Sequence, residues 1–128
     1  MPSNSRKFGD IGEEASTAFL VKHGFKILDH NYKRPWGEID IVAEKDGTIR
    51  FIEVKTSKYK LDSNFRPEIR VDWKKQRKLR RICETYLFDK KPPENQQWQI
   101  DVISVILDDD NSIRDIYSIE NAVFEREY

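Results

Sequence analysis

Two acids and a lysine, Asp40, Glu53 and Lys55, are the residues whose types and spacing best suit them to chemistry. They lie between Trp36 and Thr56, where two apolar-rich runs, Glu38 to Ala43 and Ile49 to Val54, flank the dipeptide Asp46-Gly47. Asp-Gly accommodates the positive φ angles of a tight turn between antiparallel strands, so the pattern predicts a β-hairpin. Side chains alternate between strand faces, which sends Ile39, Ile41 and Ala43 one way and Glu38, Asp40 and Val42 the other. On the second strand Phe51, Glu53 and Lys55 share a face, and Asp40 comes within reach of them from the neighbouring strand.

Two carboxylates on a face that also carries Val42 and Phe51 repel each other and lose hydration, a cost that a positive partner removes. A divalent cation such as magnesium or manganese fits: magnesium takes oxygen ligands, one or two of them carboxylates, and leaves positions for water and a substrate phosphate. Beside it, Lys55 would orient or deprotonate an attacking water while charge grows on a phosphate oxygen. A solvated salt-bridge ladder on an open antiparallel face would use the same residue types. The convergence of all three side chains favours the catalytic reading.

The elements that must position these residues follow from periodicity. Gly9 to His23 repeats apolar residues at helical spacing through Phe8, Ile11, Ala15, Ala18 and Phe19, and Gly24 ends the helix. Glu13 and Glu14 both lie off the centre of that stripe, and periodicity alone does not choose between them. Phe25 to Tyr32 is strand-compatible and precedes a break at Arg34-Pro35. Lys58 to Pro67 has turn chemistry and reads as an exposed loop. A second helix should run from an N-cap at Asp72 to about Leu87, with Leu79, Ile82, Cys83, Tyr86 and Leu87 inward. Trp98 to Leu107 reads as a buried strand, interrupted by Asp101, which needs either Lys75 or a backbone donor as partner. Asp108 to Asn111 makes an acidic turn, and Ile113 to Ile119 the last strand. The resulting order is α-β-β-β-α-β-β.

Charge is distributed unevenly behind a net charge of zero. Residues 66–91 carry ten of the 23 Lys and Arg against four acids, whereas residues 92–128 carry nine acids against two bases. On the second helix Lys74, Arg77, Lys78 and Arg81 lie opposite the apolar stripe, a basic face suited to a phosphate backbone. Lys75 falls on the edge of the apolar stripe, so it and Gln76 point toward Asp40 and Glu53 if the helix packs over the hairpin.

Other functions are excluded by what the chain lacks. A single cysteine, Cys83, rules out an intramolecular disulfide, and His23 and His30 offer no zinc spacing. No apolar run is long enough to span a membrane, and the first ten residues lack the apolar core of a signal peptide, so a cytoplasmic location is expected. With 128 residues and 12% aromatics, one folded domain spanning 1–128 is expected rather than a disordered chain.

These motifs resemble the YraN-type family of uncharacterised proteins, which is similar to the PD-(D/E)XK nuclease superfamily. The resemblance rests on Gly9 to Glu13, Ala15 and Leu20, on GEID at Gly37 to Asp40 and on FIEVK at Phe51 to Lys55. It continues through Val71, Lys75, Leu79, Leu87 and Asp101. It implies a restriction-endonuclease-like α/β core similar to that of archaeal Holliday junction resolvases, with a mixed central sheet flanked by helices. It further implies a metal held by Asp40, Glu53 and the backbone carbonyl of Val54, with Lys55 positioning water. Of the two helix acids it selects Glu13 as the one that completes the catalytic set. Ile39 stands where the superfamily name has proline, and Gln99 stands where the family often has arginine, so an ion pair to Asp101 is expected to be missing.

The reading is a magnesium- or manganese-dependent endonuclease acting on nucleic acid, DNA before RNA and branched or junction DNA among the substrates. Lys75 and Gln76 are accessory to Asp40, Glu53, Lys55 and Glu13, and no membrane partner is expected. A homodimer would pair two sites, as in junction-cutting relatives. The alternative is a catalytically inactive nucleic-acid-binding or protein-interaction module with the same fold, which the neutral net charge and acidic last third favour.

Overall fold

The computed structural model describes residues 4–61 and 73–122. Helix α1 (Asn4–Lys22) is followed by strands β1 (Lys26–Arg34), β2 (Gly37–Lys45) and β3 (Thr48–Lys58). Helix α2 (Trp73–Lys90) then leads to β4 (Gln97–Leu107) and β5 (Ile113–Ile119). The order is the expected α-β-β-β-α-β-β. Asp72, expected to cap α2, and most of the expected loop, residues 62–67, lie outside the described residues, as does Val71.

The strands form one sheet in the order β1-β2-β3-β4-β5. Antiparallel neighbours are joined by short turns, while β3 and β4 run parallel and are linked through α2, as a parallel pair requires a crossover. At the β2–β3 turn Asp46 and Gly47 both have positive φ, 52° and 77°, the conformation that selected this dipeptide.

Both sheet faces are covered. On one, Ile82, Cys83 and Tyr86 of α2 pack on Val42, Phe51 and Val102. On the other, Leu20 of α1 packs with Ile41, Ile52 and Ile103, the alternate residues of the same strands. Burial on both faces explains why β4 is apolar almost throughout.

One face assignment differs from simple alternation. Ile39 packs under α2 together with Val42, while Ile41 and Ala43 face α1. Among the described residues the β2–β3 register ends at Ile41↔Ile52. Beyond it β2 stays paired with β1 as far as Gly37. The two strands part there, and the strict period of two that relates Ile39 to Ile41 is lost with the ladder.

Helix α1 is seated by Gly12. A Cβ at this position would lie 1.9 Å from Thr56 Oγ1 and 3.1 Å from Thr56 Cβ, so only glycine lets the helix approach β3 this closely. Gly12→Ala should therefore lower stability by about 1–3 kcal/mol, the usual scale of overpacking. Adding Thr56→Ala should recover part of that loss. Urea midpoints of the two single variants and the double variant check this; additive losses would show that the helix is not held at this contact.

Asp101 and the acidic turn find partners that the sequence left open. Asp101 is 1% exposed. It accepts from the backbone N–H of Asn121 at 2.8 Å, one of the two donor types expected. It also accepts from Gln99 Nε2 at 2.8 Å and pairs with Arg50 at 3.1 Å. The ion pair expected to be missing because of Gln99 is therefore supplied by Arg50, and Gln99 adds a hydrogen bond to it. In the turn after β4, the Lys58 ammonium donates to the Asp108 and Asp109 carbonyls, each at 3.1 Å, and to Asn111 Oδ1. That ties the end of β3 to the β4–β5 connection.

Candidate nuclease site

The parting of β2 and β3 creates the site. Where the ladder stops, the Val54 N–H donates to Asp40 Oδ2 at 2.8 Å, so the carboxylate supplies the acceptor that the neighbouring strand no longer provides. This bond fixes the Asp40 side chain beside β3. It uses one carboxylate oxygen.

A cavity of about 300 Å³ opens at the same place, between the start of β2 and helix α2. Asp40 and Glu53 lie in its wall together with Lys75, Lys78 and Trp36. The helical spacing of Lys75, Lys78, Leu79 and Ile82 brings one face of α2 over the hairpin, which sets two lysines opposite two carboxylates.

Electrostatically the acids act on one another. The Asp40 carboxyl is pushed up from 3.8 to about 6, chiefly because burial removes its hydration. The Val54 N–H acts in the opposite sense, and the negative charges of Glu13, Glu38 and Glu53 raise it further. Of the two first-helix acids, Glu13 is thus the one whose charge reaches Asp40. Its helix position is fixed by the neighbouring Gly12 contact. Glu13 and Glu14 also line a second cavity, of about 490 Å³, with Asp10 and His30.

The remaining sequence-selected residues divide. Lys55 is half-buried on β3 beyond Glu53 but is not part of the cavity wall, and neither is Gln76. Lys74, Arg77, Lys78 and Arg81 are exposed on α2. The Val54 side chain packs toward α1, and its N–H is the backbone group engaged with Asp40. Among the described residues no three His, Cys, Asp or Glu side chains stand close enough to hold a metal ion together. Asp40 and Glu53 are two carboxylates in one cavity wall, with Glu13 acting on Asp40 through its charge.

Two members of the wall escaped the sequence reading. Glu38 precedes Asp40 by two residues and was visible as its same-face neighbour, yet its charge was not counted with the acids. Trp36 stands immediately before GEID. An aromatic residue at the mouth of a hairpin is a signal that could have been used, but its position against α2 depends on packing that the sequence does not reveal.

The donor set suits a hard dication. Asp40 keeps one oxygen clear of the Val54 bond, and Glu53 adds a second carboxylate; both are oxygen donors in a region where negative charge accumulates. No described helix is long and apolar enough to cross a membrane.

Comparison with known proteins places these motifs. The Uncharacterised protein family UPF0102 matches residues 12–105, a span that holds Glu13, Asp40, Glu53, Lys55 and Asp101. A UPF0102 protein of Dictyoglomus thermophilum is 40% identical over 119 residues, covering 93% of this chain and 98% of the relative. One from Caldicellulosiruptor saccharolyticus is 37% identical over the same shares of both chains. A third, from Moorella thermoacetica, is 36% identical over 95% of this chain and 99% of its own length. A match of this extent, running through both helices and four of the five strands, shows that the chain belongs to the protein family UPF0102, the YraN family.

Proposed function

We propose that this protein is a metal-dependent nuclease that hydrolyses phosphodiester bonds of nucleic acid, DNA before RNA, at the Asp40 and Glu53 site. The observation that carries this reading is the cavity itself: two carboxylates, one of them pushed up to about 6, face two lysines across a space open to a ligand. A phosphate between them would meet ammonium groups on one side and a cation held by the acids on the other.

Each residue then has a task. The Val54 N–H holds Asp40 in one orientation, which leaves its second oxygen for a cation beside Glu53. Lys75 and Lys78 bind and orient the phosphate from the α2 side. Lys55, on the same strand face as Glu53, holds the attacking water or stabilises charge beside it. Glu13 adds negative potential at Asp40 and raises the site's affinity for a dication. Magnesium or manganese, when bound, supplies Lewis-acid stabilisation of the phosphate oxygens.

The exposed basic face of α2 extends from this cavity and supplies affinity without reading bases. Lys74→Gln and Lys78→Gln should each weaken DNA binding irrespective of sequence. Each should also lower the slope of log affinity against log salt by about 1. Titrations at several salt concentrations check this; unchanged slopes would remove α2 as the binding face. The reading as a whole is tested by incubating the protein with linear and branched DNA, and with RNA, in magnesium or manganese. Cleavage that Glu53→Gln lacks supports it, whereas a panel left intact by wild type under all conditions contradicts it.

A further inference from the structure

Trp36 is a large aromatic side chain held in place yet left 37% exposed at the cavity rim. It belongs to neither apolar cluster of the described residues, so packing the core does not account for it. Its indole N–H donates to Thr85 Oγ1 at 3.1 Å, and the Thr85 hydroxyl donates in turn to the Arg81 carbonyl at 2.8 Å. The Arg81 guanidinium lies over the ring at 5.0 Å from its centre. The next residue, Gly37, lets the turn press on α2: a Cβ there would stand 3.1 Å from Ile82 Cβ. Two contacts, with Thr85 and Arg81, therefore hold the ring while Gly37 seats its turn on α2, and Trp36 forms part of the cavity wall while Arg81 does not.

We infer that Trp36 is a stacking platform for an unpaired nucleobase next to the scissile phosphate, so that the site takes single-stranded or locally unpaired nucleic acid in preference to closed duplex. The location of that phosphate rests on the nuclease reading above; the stacking itself does not. An indole face and flanking lysines are the two chemistries that single strands use, base stacking and backbone neutralisation. Within a duplex both faces of every base are covered by neighbours, so a base must be unpaired, terminal or extruded to reach the ring. At about 300 Å³ the cavity lies at the small end of ligand-binding cavities, room for a nucleotide and too little for a duplex. Trp36 stands in the turn just before β2, and from Gly37 to Asp40 the strand runs three steps, roughly 10 Å at about 3.3 Å per residue, so the stacked base belongs to a nucleotide beside the one being cut. Pre-stacking on Arg81 restricts the indole before the ligand arrives, which lowers the entropy lost on binding.

The test compares wild type, Trp36→Phe and Trp36→Ala in EDTA, where cleavage does not intervene. Binding of a labelled oligothymidine and of a fully paired duplex of the same length is followed by anisotropy. Trp36→Ala should weaken single-strand binding by roughly 5- to 150-fold, the range for loss of one stacked base, and duplex binding by less than about 2-fold. Trp36→Phe keeps a ring and should retain most of the affinity for the single strand. Indole fluorescence adds a readout that a purely structural role would not move: oligothymidine should quench wild type, and the quenching should be lost in Trp36→Phe although Trp73 and Trp98 remain. Equal losses for both ligands, no loss for either, or tighter binding of duplex by wild type would each overturn the inference. Cleavage assays separate the two claims. A Trp36-dependent single-strand affinity in a protein that cuts nothing would sink hydrolysis and keep the stacking site; efficient cutting that ignores Trp36 would do the reverse.

Discussion

Asp40→Asn is expected to abolish cleavage, by a factor of roughly 10³ or more as for removal of a principal catalytic group, while leaving the protein folded. The amide oxygen can still accept from the Val54 N–H, so the bond that closes the gap between β2 and β3 survives and only the charge is lost. Stability should respond to pH in a defined direction. Because the Asp40 carboxyl is raised from 3.8 to about 6, the folded chain keeps a proton between those values that the unfolded chain has released. The contribution of this group is therefore full below pH 4, falls as pH rises to about 6, and stays lost above it. Asparagine never ionises. At pH 7.5 in EDTA the variant should exceed wild type by on the order of 2 kcal/mol, and at pH 4 the two should coincide. Asp40→Ala is a poorer choice, because it orphans the Val54 N–H and offsets the gain by about 1–3 kcal/mol. Urea midpoints at the two pH values check the prediction. A variant that is no more stable at pH 7.5 than at pH 4, relative to wild type, would show that the acids do not strain the folded state.

The largest loss of stability should come from a residue away from the cavity. Asp101 is buried with Arg50, Gln99 Nε2 and the Asn121 N–H around it, and Arg50 itself is only 12% exposed. Removing one partner of such a pair leaves the others desolvated without compensation, and Asp101→Ala is expected to cost about 3–5 kcal/mol. That is a large part of a small domain's total stability. Arg50 retains Glu120 at 3.4 Å, which holds the cost toward the lower end. Asp101→Asn, which keeps an acceptor for Asn121 or Gln99, should lose less. Denaturant unfolding distinguishes the cases, and a cost below about 1 kcal/mol for alanine would show that the network contributes little.

Several of these features are legible in the amino-acid sequence alone. Asp46-Gly47 fixed the hairpin because both residues need positive φ, and the stripe through Leu79, Ile82, Cys83 and Tyr86 fixed the buried face of α2. The candidate acids followed from charge on strands that should have been apolar. What local pattern could not supply was register between distant segments. The parallel pairing of β3 with β4 sets Ile52 beside Asp101 and thereby brings Arg50 to it, and nothing near either residue announces that alignment. Ile39 falls on the other face because alternation assumes an unbroken ladder, and the β2–β3 ladder ends at Ile41, next to Asp40. Lys58 and Trp36 were missed for a related reason: the partners of each lie about 50 residues away in sequence. Regularity was readable, and the site sits where regularity stops.

The most direct measurement is calorimetric titration of magnesium, then manganese, into wild-type protein and Glu53→Gln at neutral pH. The nuclease account predicts one divalent-cation site in wild type that the variant lacks, with both proteins equally folded by circular dichroism. Identical heats in the two proteins, or no binding to either, would contradict it and leave the cavity without the cation on which the proposed hydrolysis depends.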